Sequence, residues 1–441
     1  MFLSEFLEKI TSKVKIINYR DVEINKIETD SRLVTKNDIF FAISTFNSNG
    51  ILYADKAADN GASVIVCNDK DDYKNDKVVI IKCDDVISVL AEFLNILYSN
   101  KPKHIIGITG TCGKTSTAEF VRQAIQKLGF NSASIGTLGI NFNDSHLKED
   151  TLTMREIVDL HKKLNYVKSK KNIDYVAMEM TSQGMDQRRS EGVNVEIGVF
   201  LNLLDHEHLD YHKNLENYFK AKMILFENIL RNNSPVVINA DIPEYERIKN
   251  ICLEHNHKIL SFGYNGDIKI IDIIDTNAGL TTKIEYNNQQ YELKTDTIVK
   301  FQVYNLLATL GVLIQLNIEN DIQKLINVLN TVRQADGRME FVAAKNNGAR
   351  IFIDYAHTPD SFGKVLKTVR EHIKASGNGR LYTLFGSGGD RDSSKRPLMG
   401  EMAKKYSDIV IITDDNPRTE DPEKIRRDIL VGCPNAICIA N

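Results

Sequence analysis

Gly107-Ile108-Thr109-Gly110-Thr111-Cys112-Gly113-Lys114-Thr115-Ser116 stands between an apolar run, His104–Thr109, and a helical stretch, Lys114–Lys127. A strand, a glycine-rich turn and a helix in that order make a phosphate cradle. Glycines let backbone N–H groups face the anion, and the helix N-terminus adds a favourable dipole. In such a loop Lys114 reaches the β- and γ-oxygens and the Thr115 hydroxyl holds Mg²⁺. Strict P-loop spacing asks for glycine where Ile108 stands, so the loop is a variant. A plain turn with a capping lysine is the bland alternative; the strand–loop–helix setting weighs against it.

Outward from this loop the chain alternates apolar runs with helical periodicity, the signature of an α/β protein. Upstream, strands are predicted at 38–43, 63–67 and 78–82 and a helix at 85–98, with Lys101-Pro102-Lys103 as a hinge. Downstream come strands at 175–179, 195–202 and 235–239, a helix at 215–230, and a β-meander over 267–298. Helices at 301–316 and 321–332 follow. A last unit has strands at 350–355, 381–385, 408–413 and 436–440. The expected organisation is three domains, 1–100, 101–332 and 333–441. A length of 441 residues at roughly 150 per domain agrees.

Composition narrows the function classes. Hydrophobic residues make up 42% and charged residues 26%, with a net charge of −3. That balance lacks the basic footprint of a nucleic-acid binder. No run approaches the ~18 apolar residues of a membrane span. The first thirteen residues read as an amphipathic helix carrying Glu5 and Glu8, unlike a signal peptide. Six cysteines occur without a C-x-x-C pair, so neither a disulfide framework nor a zinc ribbon is expected. The expectation is a cytoplasmic protein with no nucleic-acid partner and no membrane insertion.

Two further regions carry chemistry. Asn202-Leu203-Leu204-Asp205-His206-Glu207-His208-Leu209-Asp210-Tyr211-His212 follows a strand, where α/β sheets place ligands. Its acids and imidazoles, with Glu179 ending another strand, suit Mg²⁺ beside phosphates; a solvated polar loop is an equal alternative. In the last unit, Gly337-Arg338-Met339-Glu340 precedes three strand-end motifs. These are Asp354-Tyr355-Ala356-His357-Thr358-Pro359, Gly386-Ser387-Gly388-Gly389-Asp390-Arg391-Asp392 and Asp414-Asp415-Asn416-Pro417-Arg418. Arg391 and Arg418 each present a fork suited to a carboxylate. Each motif alone reads as a capped turn; their clustering at strand ends is the signal. Lys222, on the helix after the histidine-rich loop, reads by itself as an ordinary exposed lysine.

Taken in order, these motifs resemble the Mur ligase family, the ATP-dependent amide ligases of peptidoglycan precursor synthesis. The resemblance also rests on Thr29-Asp30-Ser31-Arg32, Asn60-Gly61-Ala62, Met178-Glu179-Met180-Thr181-Ser182 and Ala221-Lys222, and it runs over essentially the whole chain. It implies a central P-loop-type ATPase domain flanked by an N-terminal UDP-substrate domain and a C-terminal Rossmann-like domain. It implies a monomer that phosphorylates the carboxylate of a UDP-muramoyl dipeptide with ATP, the acyl phosphate then being attacked by a diamino acid. Gly110 to Ser116, Asn305, Arg338 and Asp354 would bind ATP. Lys114 would stabilise the transferred phosphoryl, while Thr115, Glu179 and His208 would organise Mg²⁺. Lys222 would be carbamylated by CO₂. Ser31, Thr153, Thr181, Ser182, Gln187 and Arg189 would contact the UDP substrate, and Arg391, Asn416 and Arg418 the amino acid. The Asp-Asn-Pro-Arg version points to meso-diaminopimelate, whose distal carboxylate needs an arginine.

The chain departs from the family pattern at several places. Cys112 replaces an Asn, Thr153-Met154-Arg155 a Thr-Thr-Pro, Gln183 a His and Gln302 an Asn. The resemblance also implies a Gly-Lys-Gly-His-Glu type segment beyond Asn441, which leaves the acceptor pocket incomplete as the chain stands. Two alternatives follow: a related ligase for another acyl substrate, or a nucleotide-binding protein without turnover.

Overall fold

The computed structural model describes residues 1–44, 49–142, 145–147, 153–204, 209–276, 279–375, 377 and 379–440. By compactness the chain forms two units, Met1–Ser261 with Gly311–Ile318, and Phe262–Leu310 with Glu319–Asn441.

The first unit holds two sheets. The N-terminal one has five strands, with Lys15–Ile17 antiparallel at one edge and Val79–Cys83, Ala62–Asn68, Asp38–Phe41 and Ile27–Glu28 following in parallel. Helix Val86–Leu97 covers one face, where Phe93 stacks on Phe6 at 4.8 Å between ring centroids. Asp85 caps this helix by accepting from the Ile87 and Ser88 amides. The predicted N-terminal helix is cut short at Leu3–Leu7. Thr11 and Ser12 instead donate backbone and hydroxyl bonds to the Glu92 carboxylate, which holds that stretch out of the helix.

The second sheet of this unit positions the site. Strand His104–Thr109 lies between Tyr175–Glu179 and Ile197–Phe200, all parallel. Ser132–Gly136 pairs in parallel outside Tyr175–Glu179, and Pro235–Asn239 outside Ile197–Phe200. The strands are mainly apolar and largely buried on both faces, as a helix-covered parallel sheet requires. Register sets Glu179 opposite Ile108 and Phe200 opposite Thr109, so three loops leave the same edge at one level. The predicted helix over 215–230 is α-helical for Leu215–Ile224 and finishes as a π-helical turn, Leu225–Ile229, with Leu225 and Phe226 buried. Lys101-Pro102-Lys103 is not a loose hinge: Pro102 is buried, and Lys101 Nζ bonds to Asn95 and, at 2.6 Å, to His161 Nδ1.

The second unit contains the meander Ile268–Thr276, Gly279–Tyr286 and Gln289–Thr295. It also contains a three-stranded parallel sheet, Tyr382–Phe385, Ile409–Ile412 and Ile437–Cys438, crossed by helices Lys395–Tyr406 and Pro422–Gly432. Strand Arg350–Ile353, expected beside these, pairs instead with Glu340–Ala344 as an antiparallel ribbon. Gly348, in the left-handed region at φ 82°, makes the turn that permits it. No helix among the described residues is long and apolar enough to cross a membrane.

Candidate active site

The glycine-rich loop is clamped from the neighbouring strand. The Asn202 side chain accepts from the Cys112 amide (2.9 Å) and donates to its carbonyl (3.1 Å), while the Thr111 amide donates to the Asn202 carbonyl (3.0 Å). Thr111 Oγ1 accepts from the Leu204 amide at 3.0 Å and from the Tyr218 hydroxyl at 3.2 Å. Lys114 Nζ folds back onto the Gly110 and Thr111 carbonyls, both at 2.8 Å. A phosphate would offer that ammonium a charged acceptor in place of neutral ones. From below, Lys222 is only 1% exposed; its Nζ donates to the Gly110 carbonyl at 2.9 Å and lies 4.4 Å above the Tyr218 ring. The lysine that reads as ordinary and exposed is therefore a buried support of the loop. Tyr218, which no sequence signal singled out, and Asn202, read only as the start of the histidine-rich stretch, both hydrogen-bond to the loop.

Glu179 is the buried carboxylate of the site. It accepts from Thr115 Oγ1 (3.1 Å), the Thr137 amide (2.8 Å) and Thr137 Oγ1 (3.3 Å). A Cβ built on Gly136 would stand 1.9 Å from Glu179 Oε1, so glycine alone lets the carboxylate lie against that strand. Thr153 Oγ1 joins the group, 3.0 Å from Thr137 Oγ1. A buried carboxylate already bonded to the Thr115 hydroxyl is a pair of hard oxygens, the donor type that suits Mg²⁺. His208, the third expected ligand, lies outside the described residues.

The residues expected on the acyl-substrate side line the next loop. Thr181 Oγ1 caps helix Ser182–Asp186 by accepting from the Gly184 amide at 3.1 Å. Ser182 Oγ and His212 Nε2 are 2.9 Å apart and both buried. Gln187 Nε2 donates to the Tyr211 hydroxyl, which donates to Asp186. Arg189 binds the Met154 carbonyl at 2.9 Å and Glu156 at 3.0 Å. Arg188 ties this loop to the N-terminal layer through Asp85 at 2.7 Å and Ser88 at 2.9 Å. Ser31 belongs to that layer, buried, its carbonyl accepting from Asn60. Burial holds the His161 imidazole down to about 3 and the Lys101 ammonium down to about 8.

The remaining candidates belong to the second unit. Asn305 is buried, and its Nδ2 donates to Gln302 Oε1 at 2.8 Å. Asp354 accepts from the Met339 and Ala356 amides at 2.9 and 2.8 Å, and burial raises its carboxyl above the usual range. Arg338 has its guanidinium 5.9 Å from the centroid of the Tyr355 ring. Asn416 and Arg418 meet: the Arg418 amide donates to Asn416 Oδ1 at 3.3 Å, and Arg418 Nη1 to the Gly389 carbonyl at 2.6 Å. Arg391 is exposed two residues further along. Arg396, which the sequence left unremarked, is fully buried beneath these loops.

A parallel sheet whose central strand runs into a lysine- and threonine-bearing phosphate cradle, with a buried carboxylate on the next strand, defines a nucleotide-binding α/β protein. The chain belongs to the Mur ligase family. Residues 23–98 match the Mur ligase family catalytic domain, 108–313 the Mur ligase middle domain and 337–441 the Mur ligase glutamate ligase domain. Among curated relatives, the UDP-N-acetylmuramoyl-L-alanyl-D-glutamate–2,6-diaminopimelate ligase of Chelativorans sp. (strain BNC1) is 37% identical, over 99% of this chain and 88% of its own length. The ligase of that name from Rickettsia montanensis is also 37% identical, over 95% of this chain and 85% of its own. A solved structure of a ligase with this name superposes with a TM-score of 0.72 at 29% identity, covering 95% of this chain and 84% of that one. The MurF ligase of Thermotoga maritima, solved with ADP, shares the fold at 19% identity and a TM-score of 0.59, covering 94% and 93% of the two chains.

Proposed function

We propose that this chain is an ATP-dependent ligase that joins 2,6-diaminopimelate to UDP-N-acetylmuramoyl-L-alanyl-D-glutamate, adding the third amino acid of a peptidoglycan precursor. The observation that carries the reading is 37% identity over 99% of the chain to a ligase of that name. The phosphate cradle and its buried carboxylate support it independently. In this reading the terminal phosphoryl of ATP passes to the substrate carboxylate. The amine of the amino acid then attacks the acyl carbon, phosphate leaves, and an amide forms.

Lys114 exchanges its two loop carbonyls for phosphate oxygens and offsets the charge on the transferring group. Thr115, Glu179 and His208 would hold Mg²⁺, which would supply positive charge against the phosphate oxygens. Asn305, Arg338 and Asp354 hold the nucleoside end. The acyl substrate lies along Ser31, Thr153, Thr181, Ser182, Gln187 and Arg189, and the amino acid against Arg391, Asn416 and Arg418. These assignments divide the work among residues 1–100, 101–332 and 333–441. Lys222 acts as a carbamate: CO₂ adds to its neutral amine with loss of a proton, turning a cation beneath a phosphate-binding loop into an anion that favours Mg²⁺. The protein works as a monomer in the cytoplasm.

The test is ADP release, which should require both UDP-N-acetylmuramoyl-L-alanyl-D-glutamate and 2,6-diaminopimelate. ATP binding without ADP release on that pair overturns the reading. Preferential use of L-lysine overturns the amino-acid assignment alone.

A further inference from the structure

Helix Lys395–Tyr406 carries an arginine with no access to solvent, Arg396 at 0% exposure. Its guanidinium forks onto Glu420, with Nη1 to Oε2 and Nη2 to Oε1 both at 2.9 Å. Nη1 also reaches Asp428 at 2.9 Å, and Nη2 the Gly388 carbonyl at 3.4 Å. The arginine thus touches both segments that carry the amino-acid candidates, Gly386–Asp392 and Asp414–Glu420. Glu420 passes the contact on, because its Oε1 accepts from the Asp390 amide at 2.6 Å.

Lighter ties close the two loops above it. The Gly389 amide donates to the Asn416 carbonyl at 2.9 Å, and Arg418 Nη1 to the Gly389 carbonyl at 2.6 Å. Asp390 accepts from the Thr419 amide and hydroxyl at 3.2 and 2.6 Å. A Cβ built on Gly389 would stand 1.9 Å from the Pro417 carbonyl oxygen, so the loops meet backbone to backbone. Arg396 Nε, by contrast, finds no hydrogen-bond partner among the described residues. A buried guanidinium left partly unsatisfied costs stability, and an apolar side chain would fill the space more cheaply. What the guanidinium supplies in return is the tie that its fork makes between two loops.

We propose that Arg396 is the positioning residue of the acceptor pocket: from beneath, its fork onto Glu420 and the Gly388 carbonyl sets the spacing of the two loops that present Arg391, Asn416 and Arg418. The inference rests on the reading that these three residues take the incoming amino acid. Arg396 does not touch that molecule; it acts through the loops. Arg396 and the Asp390 amide hold the Glu420 carboxyl down to about 2, so the fork stays charged throughout the neutral range. Lysine would keep the charge but, as a point donor, would lose the planar fork.

The experiment measures KM for 2,6-diaminopimelate, KM for ATP and kcat in the full-length protein, its Arg396→Lys variant and its Glu420→Gln variant. A displaced pocket raises the amino-acid KM by about tenfold or more in Arg396→Lys, since misplacement near 1 Å costs up to about a hundredfold. Glu420→Gln, which keeps its shape and one acceptor, moves KM in the same direction by less. KM for ATP and kcat at saturating amino acid stay within about threefold, the split that marks lost binding of one substrate. The double variant does no worse than Arg396→Lys alone, because both remove one fork. An unmoved amino-acid KM in both variants overturns the proposal, as does a parallel rise in KM for ATP, which marks a merely structural role. A parent protein that turns over with no amino acid overturns the functional reading, and the inference falls with it; one that prefers L-lysine changes the amino acid alone, and KM is then read for L-lysine.

Discussion

The glycine-rich loop Gly110–Ser116 and the loops that follow Phe385 and Ile412 each leave the edge of a parallel sheet, yet they are held by different forces. Around Gly110–Ser116 the ties are strand register, backbone amides and buried neutral donors, with Glu179 at 2% exposure and Lys222 at 1%. Around Arg391, Asn416 and Arg418 the sheet has three strands, all three side chains are exposed, and the strongest tie is one ionic fork. A cradle for phosphates works through backbone N–H groups, so it needs a rigid frame. On the proposed reading the second region selects an amino acid through side chains, so it needs only two loops at the right distance.

The comparison can be broken first at the cradle, where the largest effect is expected. Lys114→Ala should lower turnover by about 10²–10³ with the circular dichroism spectrum unchanged. Turnover within about twofold of the parent would mean that the rigid region does not carry the phosphoryl chemistry. Lys222→Ala should cost about a hundredfold, with acetate restoring part of it and CO₂-depleted buffer weakening the parent. Indifference to both treatments would leave Lys222 as a purely structural support of the Gly110 carbonyl.

On the acceptor side the effects should be smaller and confined to one substrate. Arg418→Ala should raise KM for 2,6-diaminopimelate by about tenfold, the range of one charge-assisted hydrogen bond, and narrow its advantage over L-lysine. If KM for ATP rose as much, the two regions would not be functionally separate.

The smallest effect concerns the frame under the first region. His161 is buried neutral, its imidazole held down to about 3 against an ordinary 6.5. As pH falls below 6.5 the unfolded chain takes a proton that the folded one refuses, so stability is lost as pH drops. Urea midpoints should therefore decline between pH 6.5 and about 5, above most carboxylate titration, and His161→Gln should flatten that slope. An unchanged slope would mean that the Lys101–His161 contact opens before the imidazole titrates.

Local patterns were legible in proportion to how local their cause was. His104–Thr109, Lys114–Lys127, Tyr175–Glu179 and Pro235–Asn239 fold over the spans their periodicity predicts, because apolar runs and helix starts report neighbouring residues. The π-helical end of the Leu215 helix was not legible. No glycine or proline marks it, and the buried Leu225 and Phe226 belong to the core that Phe200 and Leu230 also join. The N-terminal helix failed for a similar reason: Glu92, eighty residues away from Ser12, captures the backbone that would have continued it.

What the sequence determined by itself is the α/β class and the strand, glycine-rich loop and helix of Gly107–Ser116, since spacing within one loop is a local matter. Which loops meet was decided by tertiary structure. Tyr218 reaches Thr111 across 107 positions, Lys222 reaches Gly110 across 112, and the buried Arg396 draws Gly388, Glu420 and Asp428 together around its guanidinium. Periodicity states which face of an element is apolar. Only the packing of that face against distant elements decides which polar side chain is carried inside with it, and a buried charge keeps its place only where partners converge on it.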